Sequence, residues 1–360
     1  MTVDPRLVLF GPFDRHNLGD LLFPHLLAER FPGREILYAG LAARDLRACG
    51  GHRVRAIRDL AEGWEGPPAE LLHVGGEILD CDAWTAAVML CARNEAADTV
   101  ARLDADVAGR AAWAARFLGT PSPAPYVLDK AALPWCGWVG FHGVGGVDLG
   151  RRHSAFQRYV ADALSGADCV GVRDSVSLAA VRKLGVAARL EPDAAMALSP
   201  GVRTRIRSAA ASGEAAAIRQ AFPAGYLAVQ FSADFGDDGT LDLLAAGLHR
   251  RIGAQAIAFV RMGAAPWHDD PEPYGRLRFR LGVPCRVFAS LDVWQIAALV
   301  AGAAGWIGSS LHGAILARGF HVPAVGLERA PGEGRKIRAW AADWAPDFKI
   351  VAPRSFADEG

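Results

Sequence analysis

The sequence predicts an α/β protein built from two doubly wound parallel-sheet domains that face one another across a cleft. Three observations predict it. Short aliphatic runs at 7–10, 70–74, 169–172 and 256–260 alternate with helical patterns along nearly the whole chain, which is the mark of parallel strands joined by crossover helices. The chain has 360 residues, 51% of them hydrophobic and 22% charged, more than one domain of ordinary size accommodates. The alternation restarts at Tyr226 after an Ala/Arg-rich connector at 200–222. This puts the boundary near residue 200, with an N-terminal domain at 1–200 and a C-terminal domain at 201–360.

The elements follow in order. A strand at 7–10 runs into a Gly/Asn loop and then a helix at 19–30, and strands at 35–38, 54–57 and 70–74 continue the rhythm. The last of these meets Gly75-Gly76, a tight turn that only glycines make without strain. Residues 83–118 are Ala-rich and read as two helices, closed by the breaker Pro121-Ser122-Pro123-Ala124-Pro125, so that about 83–125 forms a helical insertion. A strand at 138–141, a helix at 152–164, a strand at 169–172 and a helix at 175–184, capped by Asp174 and stopped at Gly185, complete the first series. After Tyr226 come helices at 241–251, 273–281, 292–301 and 313–319, interleaved with strands at 256–260, 286–289, 305–307 and 324–327.

Composition removes several function classes. Lys plus Arg and Asp plus Glu balance at 39 each, so no global field draws the chain to nucleic acid or to an anionic membrane surface. The six cysteines, Cys49, Cys81, Cys91, Cys136, Cys169 and Cys285, show neither CxxC nor Cys/His ligand spacing and read as reduced core thiols, with no metal and no cofactor expected. The apolar run at 7–10 is far shorter than a signal-peptide core. The longest apolar stretch, 296–307, falls well short of the roughly 20 residues a membrane span needs. A cytoplasmic protein is expected.

The chemistry-bearing residues cluster where strands end. Gly11 to Asp20 joins the first strand to a helix, and Asn17, Gly19 and Asp20 there offer close backbone approach, a helix N-terminus and polar contacts; Asn17 and Asp20 also suit plain caps. Gly75, Gly76 and Glu77 form a second loop beside it. His142 stands in a third, glycine-rich loop that lacks the GxGxxG order of dinucleotide sites. Arg173 emerges at a strand end and suits a carboxylate or phosphate. Ser309, Ser310 and His312 converge on another helix N-terminus, which singles out His312 as a catalytic candidate. Arg335 and Lys336 open the last long helix, where the helix dipole prefers acids, so a bound anion explains them.

In order and spacing these motifs resemble the polysaccharide pyruvyl transferase family: Asn17-Leu18-Gly19-Asp20, Gly75-Gly76, the stretch from Gly140 to Gly146, and Val172-Arg173-Asp174 with Ser177-Leu178 and Leu184-Gly185-Val186. Pro192-Asp193, Ser309 to Gly313 with Ala317, Val322-Pro323 and Lys336-Ile337 extend the resemblance over nearly the whole chain. It implies a fold similar to the two-domain GT-B glycosyltransferases. The implied reaction moves the enolpyruvyl unit of phosphoenolpyruvate, or of another anionic donor, onto hydroxyls of a sugar or glycan acceptor as a ketal. That chemistry needs cations for the donor, for which Arg173, Arg335 and Lys336 stand ready. It also needs an acid for the enol methylene and a base for the attacking hydroxyl, roles that suit His312 and either Asp20 or Glu77. Ser310 stands where the family pattern has arginine, and His142 where it tends to have glutamine. A nucleotide-sugar glycosyltransferase and a degenerate, non-catalytic ligand-binding member are the alternatives.

Overall fold

A computed structural model describes residues 5–252 and 255–358, which divide into two compact units, Met1–Ala197 and Leu198–Gly360. Both are parallel-sheet α/β units. In the first, strands β1 (Leu7–Phe10), β2 (Ile36–Gly40), β3 (Arg44–Asp45), β4 (Arg53–Ala56), β5 (Ala69–Val74), β6 (Cys136–Val144), β7 (Cys169–Val172) and β8 (Arg189–Leu190) lie in the order β3-β4-β2-β1-β5-β6-β7-β8. All neighbours pair in parallel except the β3–β4 edge, which is antiparallel. In the second, β9 (Tyr226–Gln230), β10 (Ala256–Phe259), β11 (Cys285–Val287), β12 (Gly305–Gly308), β13 (Ala324–Leu327) and β14 (Ile350–Val351) form an all-parallel sheet ordered β11-β10-β9-β12-β13-β14.

Each sheet reverses its winding direction at its first strand, between β1 and β5 in one unit and between β9 and β12 in the other. Such switch points open a crevice at the carboxyl ends of the strands, where doubly wound folds place ligands. The sheets hold because their strands are apolar on both faces. Val8, Phe10, Leu71, Val139, Phe141 and Val172 are buried in the first core, and Val229, Ile257, Phe259 and Ile307 in the second, packed under Leu244, Tyr274 and Leu277 from the covering helices. Each fully buried aliphatic or aromatic side chain contributes about 1.5–3 kcal/mol.

Several elements depart from the sequence expectation. The insertion contains three helices rather than two, Ala83–Leu90, Arg93–Leu103 and Val107–Leu118. The third starts afresh because Asp106 accepts a hydrogen bond from the Gly109 amide at 2.8 Å and caps it. The connector, by contrast, keeps the helical character and the C-terminal placement expected of it, as two helices, Pro200–Ala210 and Gly213–Ala221, in the second unit. The two-residue strands β3, β8 and β14 are too short to leave a periodic trace. Among the described residues no helix is long and apolar enough to cross a membrane.

Candidate functional site

In the first unit the loops after β1 and β5 meet at the switch point. Asn17 is the N-cap of the helix Leu18–Ala28, its side chain accepting from the amides of Gly19 at 3.0 Å and Asp20 at 3.4 Å. This places the buried Asp20 in the first turn, where the partial positive charge of the helix favours a carboxylate. The Gly75-Gly76 turn packs directly on this helix start. A Cβ on Gly76 would stand 3.1 Å from Asp20 Oδ1, and Gly75 has φ +105, a conformation side chains rarely adopt. Asp20 faces the Arg15 guanidinium, with Nε and Oδ2 3.6 Å apart.

Next to this crevice lies a buried ion-pair cluster. Arg173, 3% exposed, donates to Glu77 and, at 2.9 Å, to Asp193. Burial opposes its charge, but the two carboxylates outweigh that opposition and raise its pKa. Glu77 also accepts from the Val147 amide at 3.0 Å. The close approach needs glycine at 145, where a Cβ would lie 2.5 Å from Glu77 Oε1 and 2.7 Å from Arg173 Nε. Arg173 and Glu77 thus spend their charges on each other, holding the loops after β5, β6 and β7 together. His142, near the end of β6, sits between Glu191 at 2.6 Å and Arg30 at 2.8 Å. Against the cost of burial, hydrogen bonds from His142 and Arg189 bring the Glu191 carboxyl down to about 2.

In the second unit the switch point is organised by Gln230, the last residue of β9. Its Oε1 accepts from the Ser309 and Ser310 amides at 3.0 and 2.9 Å, and its Nε2 donates to Asp269 at 2.9 Å. Ser310 is the N-cap of the helix Leu311–Gly319, accepting from the Gly313 amide at 3.2 Å. His312 therefore lies in the first turn of that helix rather than in the preceding loop. Ser309 Oγ accepts from the Ser232 amide at 3.2 Å. Burial pushes the Asp269 carboxyl up to about 7, against hydrogen bonds from Met262, Gln230 and Gly263. Through Asp269 the loop after β10 is tied to those after β9 and β12.

The loop after β13 lies at the same end of the sheet. Glu328 accepts from the amides of Gly332 at 2.9 Å and Gly334 at 3.3 Å and from Arg338. This fixes the start of the helix Arg335–Trp344, so Arg335 and Lys336 occupy its first turn. Arg329 reaches across to the Asp234 carbonyl at 2.9 Å and the Asp237 carboxylate at 2.7 Å, linking the loops after β13 and β9. The segments that follow the adjacent strands β12 and β13 thus place Ser309, Ser310, His312, Arg335 and Lys336 at loop ends and in helix first turns beyond the carboxyl ends of one sheet.

The family model for polysaccharide pyruvyl transferases matches residues 143–331, just over half of the sequence. The chain belongs to the polysaccharide pyruvyl transferase family. The matched region runs from the glycine-rich end of β6 to the loop after β13, and contains Arg173, Ser309, Ser310 and His312. No curated protein matches the chain. Among solved structures, UDP-GlcNAc 2-epimerase from Neisseria meningitidis is 10% identical, with 98% of this chain and 96% of that one covered and a TM-score of 0.47. An α,α-trehalose-phosphate synthase from Burkholderia vietnamiensis is 12% identical, with coverages of 98% and 87% and a TM-score of 0.44.

Sequence reasoning passed over Asp14, Arg15, Gln230 and Asp269, all buried at these crevices. For the first two a signal was present: adjacent opposite charges four residues beyond a wholly apolar strand. Gln230 carried a weaker one, a polar terminus on the run Tyr-Leu-Ala-Val. Asp269 lies between His268 and Asp270 and nothing local separates it from a solvated turn.

Proposed function

We propose that this pyruvyl transferase family member moves the enolpyruvyl unit of phosphoenolpyruvate onto two hydroxyls of a sugar or glycan acceptor, forming a ketal and releasing phosphate. The observation that carries the reading is His312: it lies within the family-matched region, in the first turn of a helix at the carboxyl end of β12, beside the switch point. His312 is the proposed acid that delivers a proton to the enol methylene, turning it into the ketal methyl group. One hydroxyl oxygen bonds to the adjacent carbon and a second displaces phosphate. Of the two hydroxyl protons, one replaces that of the acid and the other leaves with phosphate. Asp20 is the proposed base; Glu77, already bound to Arg173 and the Val147 amide, is better suited to holding its loop.

Arg335 and Lys336 are the proposed cations for the donor, since they stand in the first turn of a helix beyond the carboxyl ends of the same sheet as His312. Arg173 is satisfied by Glu77 and Asp193 and is proposed to position loops. The test is phosphate release from phosphoenolpyruvate over a panel of sugars and glycans, with the ketal methyl followed by proton NMR. A His312→Ala variant is expected to lower turnover about 100-fold or more. Undiminished turnover in the variant removes His312 from the mechanism, and absence of phosphate release with every acceptor, alongside stabilisation by a nucleoside diphosphate, overturns pyruvyl transfer.

A further inference from the structure

We infer that Arg15 forms an oxyanion-binding site in the switch-point crevice of the first unit, taking a carboxylate or phosphate group of a ligand. Arg15 follows β1 in the loop that meets the Gly75-Gly76 turn, and its side chain is 10% exposed. A guanidinium carries five N–H donors. Here Nη1 donates to the thioether sulfur of Met89 at 2.9 Å, a weak acceptor. Among the described residues Nε has no hydrogen-bond partner; it is buried and faces Asp20 Oδ2 at 3.6 Å. The Tyr126 ring lies 5.5 Å from the guanidinium carbon.

Burial opposes the charge on Arg15, and Tyr126, Asp20, Cys81 and Asp14 outweigh that opposition and raise its pKa, yet among the described residues none of these four accepts a hydrogen bond from it. Asp14 is turned elsewhere: it accepts from the Ala42 amide at 2.8 Å and the Tyr126 hydroxyl at 3.2 Å, and burial pushes its carboxyl up, toward the neutral form. Asp20 lies in the first turn of the helix Leu18–Ala28, whose N-terminal dipole already favours its charge. Tyr126 and Cys81 are the other titratable groups that act on Arg15, and both are buried. A buried guanidinium is expensive to desolvate unless strong acceptors replace the water it loses. A thioether and a carboxylate beyond hydrogen-bonding distance do not, whereas a planar or tetrahedral oxyanion accepting two parallel N–H bonds does.

The inference goes beyond the transfer reaction and is tested without turnover, so it stands or falls separately from it. Calorimetric titration of the full-length protein with inorganic phosphate, pyruvate and phosphoenolpyruvate, in the absence of acceptor, measures binding to the wild type and to Arg15→Gln and Arg15→Lys. At least one of these anions is expected to bind the wild type. Arg15→Gln is expected to weaken it about 10- to 100-fold, and Arg15→Lys, which keeps the charge and loses the fork, by an intermediate factor. Circular dichroism of each variant checks the fold; if Arg15→Gln does not fold, the comparison rests on Arg15→Lys. Equal affinity in wild type and the folded variants overturns the site, as does failure of all three anions to bind the wild type at millimolar concentration.

Discussion

His73 makes the first unit sensitive to acid in a way that can be measured. It lies on β5, fully buried, between the Gly140 carbonyl, 3.1 Å from Nδ1, and the Leu128 amide, which donates to Nε2 at 3.1 Å. Its ring stacks on Phe141 with centroids 3.8 Å apart. One nitrogen must therefore donate and the other accept, a pattern only the neutral imidazole satisfies. Burial lowers its pKa from 6.5 to about 3, the bond to Gly140 opposing the shift only in part. Protonation between those values occurs in the unfolded chain alone, so unfolding takes up a proton and stability falls as pH falls through that window. The full span corresponds to about 5 kcal/mol, of which roughly 2 kcal/mol is lost by about pH 5. Urea unfolding of wild type and His73→Phe across this range tests the argument. The variant loses both hydrogen bonds at every pH, and its stability should vary less with pH, by about 1.4 kcal/mol per unit in the window. Parallel pH profiles in the two proteins would refute the reasoning. Should His73→Phe not fold, a wild-type His73 ring resonance that titrates near its ordinary pKa refutes it equally.

Two further perturbations test the local geometry. Gly145→Ala puts a methyl group 2.5 Å from Glu77 Oε1 and 2.7 Å from Arg173 Nε, and thermal melts should show a loss of about 1–3 kcal/mol; Gly150→Ala, where a Cβ meets nothing within 4 Å, should leave the melt unchanged. Ser310→Ala removes the cap of the helix Leu311–Gly319 and should cost about 1 kcal/mol in urea unfolding. Ser310→Asp should retain the cap and most of that stability, while Ser310→Arg, which restores the residue of the family pattern, should lose it.

How far the sequence reveals this molecule depends on how far apart the interacting residues lie along the chain. β1 is visible because the four consecutive apolar residues Leu7-Val8-Leu9-Phe10, closed by Gly11, carry their own signature. The helix starts at Asn17 and Asp174 are visible for the same reason, a cap and its amides lying within three residues. Ser310 obeys the same rule, since Gly313 is three residues on. Its capping role escapes notice because a family pattern with arginine there draws the eye to ligand binding instead. Pairings over long separations leave no such trace. The Arg173–Glu77 bond joins residues 96 apart, and Gln230 meets Ser309 and Ser310 across 79 and 80 residues.

That difference changes what a motif is worth as evidence of chemistry. A conspicuous arginine at a strand end, Arg173, proves to be neutralised by two carboxylates from other loops, while an inconspicuous one, Arg15, meets among the described residues only a thioether within hydrogen-bonding distance. Both are buried, and both lie in loops that follow apolar strands. Only the acceptors around them separate a residue that fastens loops from one that has donors left to offer a ligand. In a fold where every parallel strand ends on the ligand side, position alone nominates too many residues, and hydrogen-bond satisfaction is the property that sorts them. On that criterion the oxyanion measurement at Arg15 carries more information about this chain than any further matching of its motifs.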